Sequence, residues 1–206
     1  MGMPLIHAIV DAVAHRSANE CLVVDRKSLM TQARLVVISP HEREDLEAAV
    51  RDFEQHFAEL LHLPDGQGPR TFERDPFATP GLKVYWLDWQ GKRYGFLILD
   101  RVTLPPAETE GEMGFPQVEA TQINRYGVFS EFRNQGLGSA GLPLIEEYAM
   151  ASRRPLTWSC WLINPALRFW ERWVQGLVRQ GWRVEKRPRD SSPPSRTYIA
   201  WPPESR

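Results

Sequence analysis

The feature that most constrains this chain is a strand-like run that ends in a glycine-containing turn ahead of a helix. The run 126–129 has strand character, and the following 133–138, Arg-Asn-Gln-Gly-Leu-Gly, carries two glycines. Glycines at such a place let the backbone bend and approach a ligand closely. Several amide N–H groups then point into one concavity, and the start of the helix adds partial positive charge, which suits phosphate binding. A turn that only connects a strand to a helix gives the same pattern. The surrounding sequence must therefore show whether this turn binds a ligand.

Two blocks around this turn resemble signatures of one enzyme superfamily. Residues 133–138 resemble the Arg/Gln-x-x-Gly-x-Gly/Ala signature of the GNAT superfamily, the acyl-CoA-dependent N-acyltransferases, and Val128 stands at its hydrophobic strand position. Residues 164–172, followed by Gly181-Trp182, resemble the Asn, Ala, aromatic-Glu and Gly-aromatic pattern of the family. The resemblance implies an α/β (α+β) GNAT fold, with a mixed, mostly antiparallel sheet of about seven strands flanked by helices.

The length of the chain limits the number of domains, and its net charge limits the kinds of partner that it can bind. The 206 residues suffice for one domain with a sizeable core, so we predict a single domain, with 1–32 as an N-terminal extension and 33–206 as the family core. The formal net charge of -1 provides no global field that favours nucleic acid or an anionic membrane. The net charge does not exclude a tRNA acceptor. Separately, an amphipathic helix is predicted at 4–15, and one interpretation of it is a homodimer contact.

Cysteine usage and hydropathy predict a cytoplasmic protein. Cys21 and Cys160 are far apart and lack CxxC spacing, so they support neither a disulfide framework nor a metal site. No apolar run approaches the roughly 20 residues that a bilayer crossing needs. The first residues lack a basic leader and are not typical of a signal peptide.

Hydrophobic periodicity predicts the order strand, helix, three antiparallel strands, helix, strand, helix and two strands. The predicted strands are 34–38, 82–89, 94–102, 119–129, 155–163, 182–187 and 197–201, and Cys21–Val24 is a further short strand. A helix capped by Ser39 ends near His62, and another covers 166–180. Gly141 and Pro143 interrupt the helix that follows the turn, so it is predicted to start late or to kink.

The resemblance implies acetyl-CoA as co-substrate and identifies the residues that bind it. A strand edge would pair with the pantetheine arm, and the turn amides would bind the pyrophosphate. These residues are Val128, Phe129 and Ser130 for the edge, Arg133, Asn134, Gln135, Gly136, Leu137, Gly138 and Ser139 for the turn, and Asn164 beside the pantetheine. Asn164 suits the N-cap of the following helix equally well.

Proton transfer is where the sequence departs from the family. The strand positions at which members often carry a glutamate hold Gln122 and Asn124, and Trp170 replaces the usual tyrosine acid. Neither an amide nor an indole can exchange the required proton. We therefore predict that Glu119, the nearest carboxylate, acts through water, with Tyr126 as the other catalytic candidate. The next candidates are His56 and Tyr198.

The predicted activity is transfer of an acetyl group from acetyl-CoA to a primary amine by direct attack. One alternative is a catalytically silent CoA-binding module, which the missing acid and base favour. Another is an acyltransferase similar to the acyl-homoserine-lactone synthases, whose strand signature residues 122–126 faintly resemble.

Other residues have both a substrate-binding and a structural interpretation. Tryptophans 86, 89, 158 and 161 either stack a substrate ring or form core. Arg70, Arg74 and Asp75 either contact substrate or belong to a solvated loop, and the basic residues of the last two strands either meet an anionic ligand or are solvated.

Overall fold

The computed structural model describes residues 32–61, 72, 74–104, 117–189 and 194–203. The predicted elements at 4–15 and Cys21–Val24, together with His62 and Arg70, lie outside this part of the chain. The strands are β1 (Ala33–Val37), β2 (Lys83–Trp89), β3 (Lys92–Leu104), β4 (Val118–Val128), β5 (Leu156–Trp161), β6 (Arg183–Arg189) and β7 (Ser195–Trp201). The helices are α1 (Arg43–Leu60), α2 (Leu137–Ala140), α3 (Leu142–Ser152) and α4 (Leu167–Arg179), with 3₁₀ turns at Pro40–Glu42 and Ser130–Phe132.

The strands form one sheet in the order β1-β2-β3-β4-β5-β7-β6. Every neighbouring pair is antiparallel except β4 and β5, which run parallel. The predicted element order and the mixed, mostly antiparallel sheet are therefore confirmed for the described residues. Helix α1 packs on one face with a core around Val50, Phe96 and Ile98, whereas α2, α3 and α4 pack on the other with Leu97 and Leu99. Alternate residues of β3 thus enter opposite cores, as the strand period of two requires.

The start of α1 has the predicted capping arrangement. The Glu42 carboxylate accepts hydrogen bonds from the backbone N–H of Ser39 at 3.0 Å and from the Ser39 hydroxyl at 3.1 Å. Pro40 begins a 3₁₀ turn that leads into the helix, where its missing N–H costs nothing.

Strand β4 contains an irregularity that positions the candidate site. Ile98 of β3 is opposite Arg125, but Leu99 is opposite Ile123, so Asn124 has no partner across the ladder. One extra residue of this kind bends a strand and increases its twist. On its other side β4 pairs with β5 only at Thr121 and Gln122, so β4 and β5 diverge beyond these two residues.

The helix after the turn is interrupted as the sequence predicts. It consists of the four-residue α2 and the longer α3, with Gly141 between them. Pro143 lies in the first turn of α3, where a proline displaces no intrahelical hydrogen bond. A Cβ on Gly141 would lie 2.4 Å from the hydroxyl oxygen of Tyr126, so only glycine fits against that side chain.

In the described ranges, none of the helices combines the length and the apolar character that crossing a bilayer requires. The same part of the chain has no group of three or more His, Cys, Asp or Glu side chains arranged to bind a metal ion.

Candidate functional site

The divergence of β4 and β5 opens a cavity of about 570 Å³ that passes between the two faces of the sheet. Residues from β4, β5, the glycine turn, α4 and α1 line it. The β4, β5 and turn residues are Ile123, Asn124, Arg125, Tyr126, Val128, Trp158, Ser159, Cys160, Trp161, Phe132, Arg133, Asn134 and Gly138. The helical sides contribute Asn164, Ala166, Phe169 and Trp170 around α4 and Phe53, His56, Phe57 and Leu60 from α1.

The glycine turn contains unused amide groups, and two of its residues, Asn134 and Gly138, line this cavity. Asn134 and Gly136 adopt left-handed backbone conformations, with φ of 62° and 82°. Within the described residues, the N–H groups of 134–138 have no protein acceptor, whereas those of Phe132, Arg133 and Ser139 bond within the local turns. A run of unsatisfied amides is the arrangement that binds an anion such as phosphate. Among the residues predicted to bind the pyrophosphate, Arg133 and Ser139 therefore have amides that already donate to a protein acceptor.

Tyr126 fixes the position of the turn. Its hydroxyl donates a hydrogen bond to the carbonyl oxygen of Gly138, and its ring stacks on Phe169 with centroids 6.2 Å apart. Burial, and secondarily the neighbouring Tyr94, raises the pKa of Tyr126 well above its ordinary value. The hydroxyl therefore stays protonated and cannot remove a proton from a substrate. The position of Tyr126 supports a structural role more than the predicted catalytic one.

Of the three residues predicted to pair with the pantetheine arm at the open edge of β4, only Val128 lines the cavity. The Phe129 N–H donates to the carbonyl of Tyr94 on β3 at 3.0 Å, so it faces away from the opening. Because hydrogen-bonding direction alternates along a strand, Val128 faces the opening, and its carbonyl accepts a bond from Arg133 Nε at 3.0 Å. Neither Phe129 nor Ser130 lines the cavity. The edge function therefore falls on Val128 and the residues before it.

Side chains of other predicted cofactor residues are partly engaged by the protein. Gln135 donates to the carbonyl of Glu131 at 2.7 Å. The Asn164 side-chain oxygen accepts the N–H of Ala166 at 2.8 Å, in the turn before α4. The N-cap of α4 itself is Ala166, so Asn164 stabilises the approach to the helix without capping it. Asn164 is nevertheless a lining residue of the cavity. Leu137 is buried in the core next to the turn.

Glu119 lies away from the cavity. It is near the beginning of β4, on the far side of the two residues that pair with β5, and Arg154 forms an ion pair with it at 2.9 Å. Just over half of its side chain is exposed to solvent. This position does not support the predicted role in proton transfer. The loop candidates Arg74 and Asp75 are likewise outside the lining, in ion pairs with Asp100 and Arg43.

The tryptophans divide between core and cavity. Trp86 is buried on the α1 face, while Trp158 is buried in the opposite core, against Trp173 and Tyr198. Trp170, at the position of the missing tyrosine acid, contacts both Trp158 and Tyr126 with centroids 5.9 Å apart. Trp161 closes the α1 side of the cavity. The core interpretation therefore holds for Trp86 and for Trp158, which also lines the cavity, whereas substrate stacking by Trp161 stays a prediction.

Sequence reasoning missed the contribution of α1. Phe53, His56, Phe57 and Leu60 line the cavity at spacings of three and four residues. A helix that covers a core and a helix that borders a cleft have the same apolar period, so the pattern alone could not separate them. His56, which the sequence analysis named only as a further candidate for proton transfer, is on this face.

The titratable groups of the cavity are mainly basic. The lining residues that can carry a positive charge are His56, Arg125 and Arg133, and no Asp or Glu is among the described lining residues. Burial raises the pKa of the Cys160 thiol to about 12, with a further effect from Glu171. At neutral pH this thiol is protonated and is a poor nucleophile.

Two basic residues of the last two strands, Lys186 and Arg196, share one acidic partner, Glu171. Lys186 and Arg196 bond Glu171 at 2.5 and 2.6 Å, and the hydroxyl of Tyr198 donates to it at 2.7 Å. Burial alone would raise the pKa of Glu171, but these hydrogen bonds and the Lys186 charge together lower it to about 2. Tyr198 is therefore committed to this cluster, and it is not a lining residue of the cavity.

Several solved structures share this architecture. An acetyltransferase from Thermus thermophilus aligns with a TM-score of 0.53 and 16% identity, covering 82% of this chain and 97% of that one. Arabidopsis thaliana NAA60 in complex with acetyl-CoA gives a TM-score of 0.50 and 15% identity over the same shares. Arabidopsis thaliana Naa50, in complex with a bisubstrate analogue CoA-Ac-MVNAL, gives 0.50 and 11%, again over 82% and 97%. No protein-family model and no curated protein sequence matches the chain.

These likenesses concern the fold. The GNAT fold that the sequence resemblance implied is confirmed by them and by the sheet order, while the identities are too low to transfer a substrate.

Proposed function

We propose that this chain, which has the GNAT fold, is an N-acetyltransferase that transfers the acetyl group of acetyl-CoA to a primary amine. The single observation that carries the proposal is the combination of an open β4 edge with a turn whose five unused amides include those of the cavity-lining residues Asn134 and Gly138. These two features match two polar parts of CoA, its amide-containing arm and its pyrophosphate. The single-domain organisation and the cytoplasmic location predicted from sequence are part of the proposal.

The donor would enter from the face of the sheet that carries the turn and α4. There the amides of 134–138 bind the pyrophosphate, and the backbone at Val128 and Tyr126 pairs with the arm. Phe169 and Trp170 form the apolar wall opposite the strand edge. The thioester would then lie where β4 and β5 separate, so that an amine could reach it from the α1 side.

The chemistry is a direct attack of the amine on the thioester. The nitrogen lone pair forms the N–C bond, the C–S bond breaks, and the thiolate leaves as CoA. An acyl-enzyme is disfavoured because the raised pKa of Cys160 keeps this cavity thiol protonated. The amine must lose one proton, and His56 is the imidazole that lines the α1 side. We assign His56 as the proton acceptor, since histidine serves this role more often than any other residue.

A second candidate function is a CoA-binding module without turnover. It is favoured by the described lining, which has no carboxylate and a Trp170 indole where the family has an acid. This candidate predicts CoA binding as strong as that of an enzyme, with no acceptor ever consumed. The acyl-homoserine-lactone-synthase alternative rests on its sequence resemblance alone.

A thermal shift series followed by a thiol-release assay tests the proposal. Acetyl-CoA and CoA should stabilise the protein by about 2.7 kcal/mol at a hundredfold excess over Kd. NAD⁺ is the control, because it shares the adenosine diphosphate but lacks the amide-containing arm. No stabilisation by millimolar CoA compounds would reject both candidates. Stabilisation with no thiol release across a broad amine panel would leave the silent module.

A further inference from the structure

We infer that the acceptor is an arylalkyl amine, a primary amine on a short chain that carries an aromatic ring, and that its ring binds the α1 side of the cavity. The inference rests on the proposed function and specifies its substrate class. Three observations carry it: an aromatic wall, an apolar rim, and the charge of the lining.

The aromatic wall joins α1 to the end of β5. The rings of Phe53 and Phe57 stack with centroids 6.0 Å apart, and Phe57 lies 5.4 Å from Trp161, tilted by 44°. All three line the cavity and are only half-buried. Aromatic rings favour offset or edge contacts with a further ring at such separations. The wall is therefore shaped to receive a ring.

Exposed apolar residues occur at the lining and next to it in the chain, and we call them the apolar rim. Leu60 lines the cavity with 44% of its surface exposed, and Leu162 and Ile163, between the lining residues Trp161 and Asn164, are 42% and 52% exposed. These three are half of the six large apolar side chains that are exposed in the described part of the chain. A cluster of exposed apolar residues at a cavity is typical of a ligand-binding surface.

The charge of the lining disfavours polycationic acceptors. The lining has Arg125, Arg133 and His56 but, in the described ranges, no carboxylate. Glu54 forms an ion pair with Arg125 at 3.5 Å and is not a lining residue. A polyamine or aminoglycoside would bring several ammonium groups into a lining that offers them no carboxylate, which is unfavourable. A single amine can react in its neutral form.

The α1 side suits a separate acceptor molecule better than the acyl chain of the donor. His56 and Leu60 are exposed, so this side opens to solvent independently of the turn and α4. The second substrate can therefore approach the thioester from the face opposite to CoA.

A kinetic panel at saturating acetyl-CoA tests the inference. 2-Phenylethylamine and tryptamine should give kcat/KM at least about tenfold above that of spermidine or kanamycin, the factor that a few apolar contacts supply. Phenylalanine and tryptophan form a second arm, which shows whether a carboxylate next to the amine is accepted beside Arg125. Preference for the polycations in this panel would overturn the inference.

Paired variants locate the ring. Leu60→Glu, which adds a carboxylate at the exposed rim, should lower kcat/KM for 2-phenylethylamine by about tenfold and leave the CoA thermal shift unchanged. Val178→Glu is the matched control, because Val178 is 54% exposed on α4 and does not line the cavity. Trp161→Leu should act like Leu60→Glu. Unchanged kinetics in both Leu60→Glu and Trp161→Leu would overturn the inference. A strong preference for long-chain or aromatic acyl-CoA over acetyl-CoA would overturn it as well.

Failure of the inference and failure of the proposed function give different results. If CoA binds and polycations are acetylated, only the inference fails. If CoA does not bind, the proposed function fails and the inference with it. If CoA binds and no amine reacts, calorimetric titration of 2-phenylethylamine into the CoA-loaded protein decides, and absence of binding contradicts the aromatic site.

Discussion

The two sides of the cavity are built from different parts of the chain. On the turn side the groups available to a ligand are backbone amides of 134–138, held by the hydrogen bond from Tyr126 to Gly138. On the α1 side they are the rings and imidazole of Phe53, His56 and Phe57. Backbone amides can bind the same chemical group whichever side chains surround them, whereas a set of side chains fits only ligands of one shape. We therefore expect binding on the turn side to depend on backbone conformation and binding on the α1 side to depend on residue identity.

The largest expected effect comes from filling the turn side. A Cβ on Gly138 would lie 3.6 Å from Val128 Cγ2 and 3.7 Å from Phe169, which is ordinary contact, so Gly138→Ala should fold and bind CoA. Gly138→Trp would place an indole where the pyrophosphate binds. We expect Gly138→Trp to lose the CoA thermal shift entirely while its far-UV circular dichroism is retained. Normal CoA binding by the tryptophan variant would show that the turn does not bind the pyrophosphate.

The next effect tests the α1 side through its imidazole. His56→Gln should lower kcat at neutral pH by about tenfold, less than the 10²–10⁴ typical of a general base because water reaches this exposed position. Its CoA affinity should be unchanged, and activity should recover at high pH, where the free amine needs no base. His41→Gln, at a histidine just before α1 that does not line the cavity, is the control. A pH–rate profile identical to the wild type would remove His56 from the mechanism.

A smaller effect is expected when a side chain is removed from the turn side. Arg133 Nε donates to the Val128 carbonyl, so its loss frees one acceptor at the strand edge and removes one charge near the pyrophosphate. Because the amides of 134–138 remain, Arg133→Ala should weaken CoA binding only about fivefold, close to 1 kcal/mol. Calorimetry measures it. A loss as large as that of Gly138→Trp would mean that recognition here depends on the side chain.

The smallest effects are expected outside the two sides. Trp170→Phe should leave kcat nearly unchanged, because an indole that packs on Trp158 and Tyr126 transfers no proton. Glu119→Gln should leave the pH–rate profile unchanged, since Glu119 pairs with Arg154 outside the cavity. Steady-state kinetics across neutral and alkaline pH checks both. A pH-dependent loss in the Glu119 variant would restore the prediction made from the sequence.

Most of the fold could be predicted because its signals are local. The β2–β3 hairpin, the Ser39 cap and the break at Gly141 each follow from residues that are close in sequence. The glycine turn was predictable for the same reason, since left-handed conformations at Asn134 and Gly136 suit those residue types. The direction of the Phe129 N–H was not predictable, because it depends on the phase of the β3–β4 ladder.

The residues that line the α1 side of the cavity were harder to predict than those of the glycine turn. Glu119 was selected as the nearest carboxylate in sequence, but β4 carries it to the end of the strand away from the cavity. His56 is far from the turn in sequence and reaches the cavity because α1 packs across β4, which no local pattern reports.

Because β4 has a bulge at Asn124, the shape of the cavity depends more on the number of residues in this part of the strand than on which residues they are. Asn124 is the residue of β4 without a partner on β3, and every position after it is out of phase with the positions before it. Deleting Asn124 would restore an even ladder in which Arg125 stays opposite Ile98 and Tyr126 opposite Leu97, so the later side chains of β4 would keep their faces. The deletion would instead remove the bend and the extra twist of the bulge. We expect β4 to stay closer to β5 in such a variant and the cavity to narrow. Homologous chains with this site should therefore tolerate many substitutions at position 124 but keep the extra residue, and such a length constraint can be sought directly in sequence comparisons.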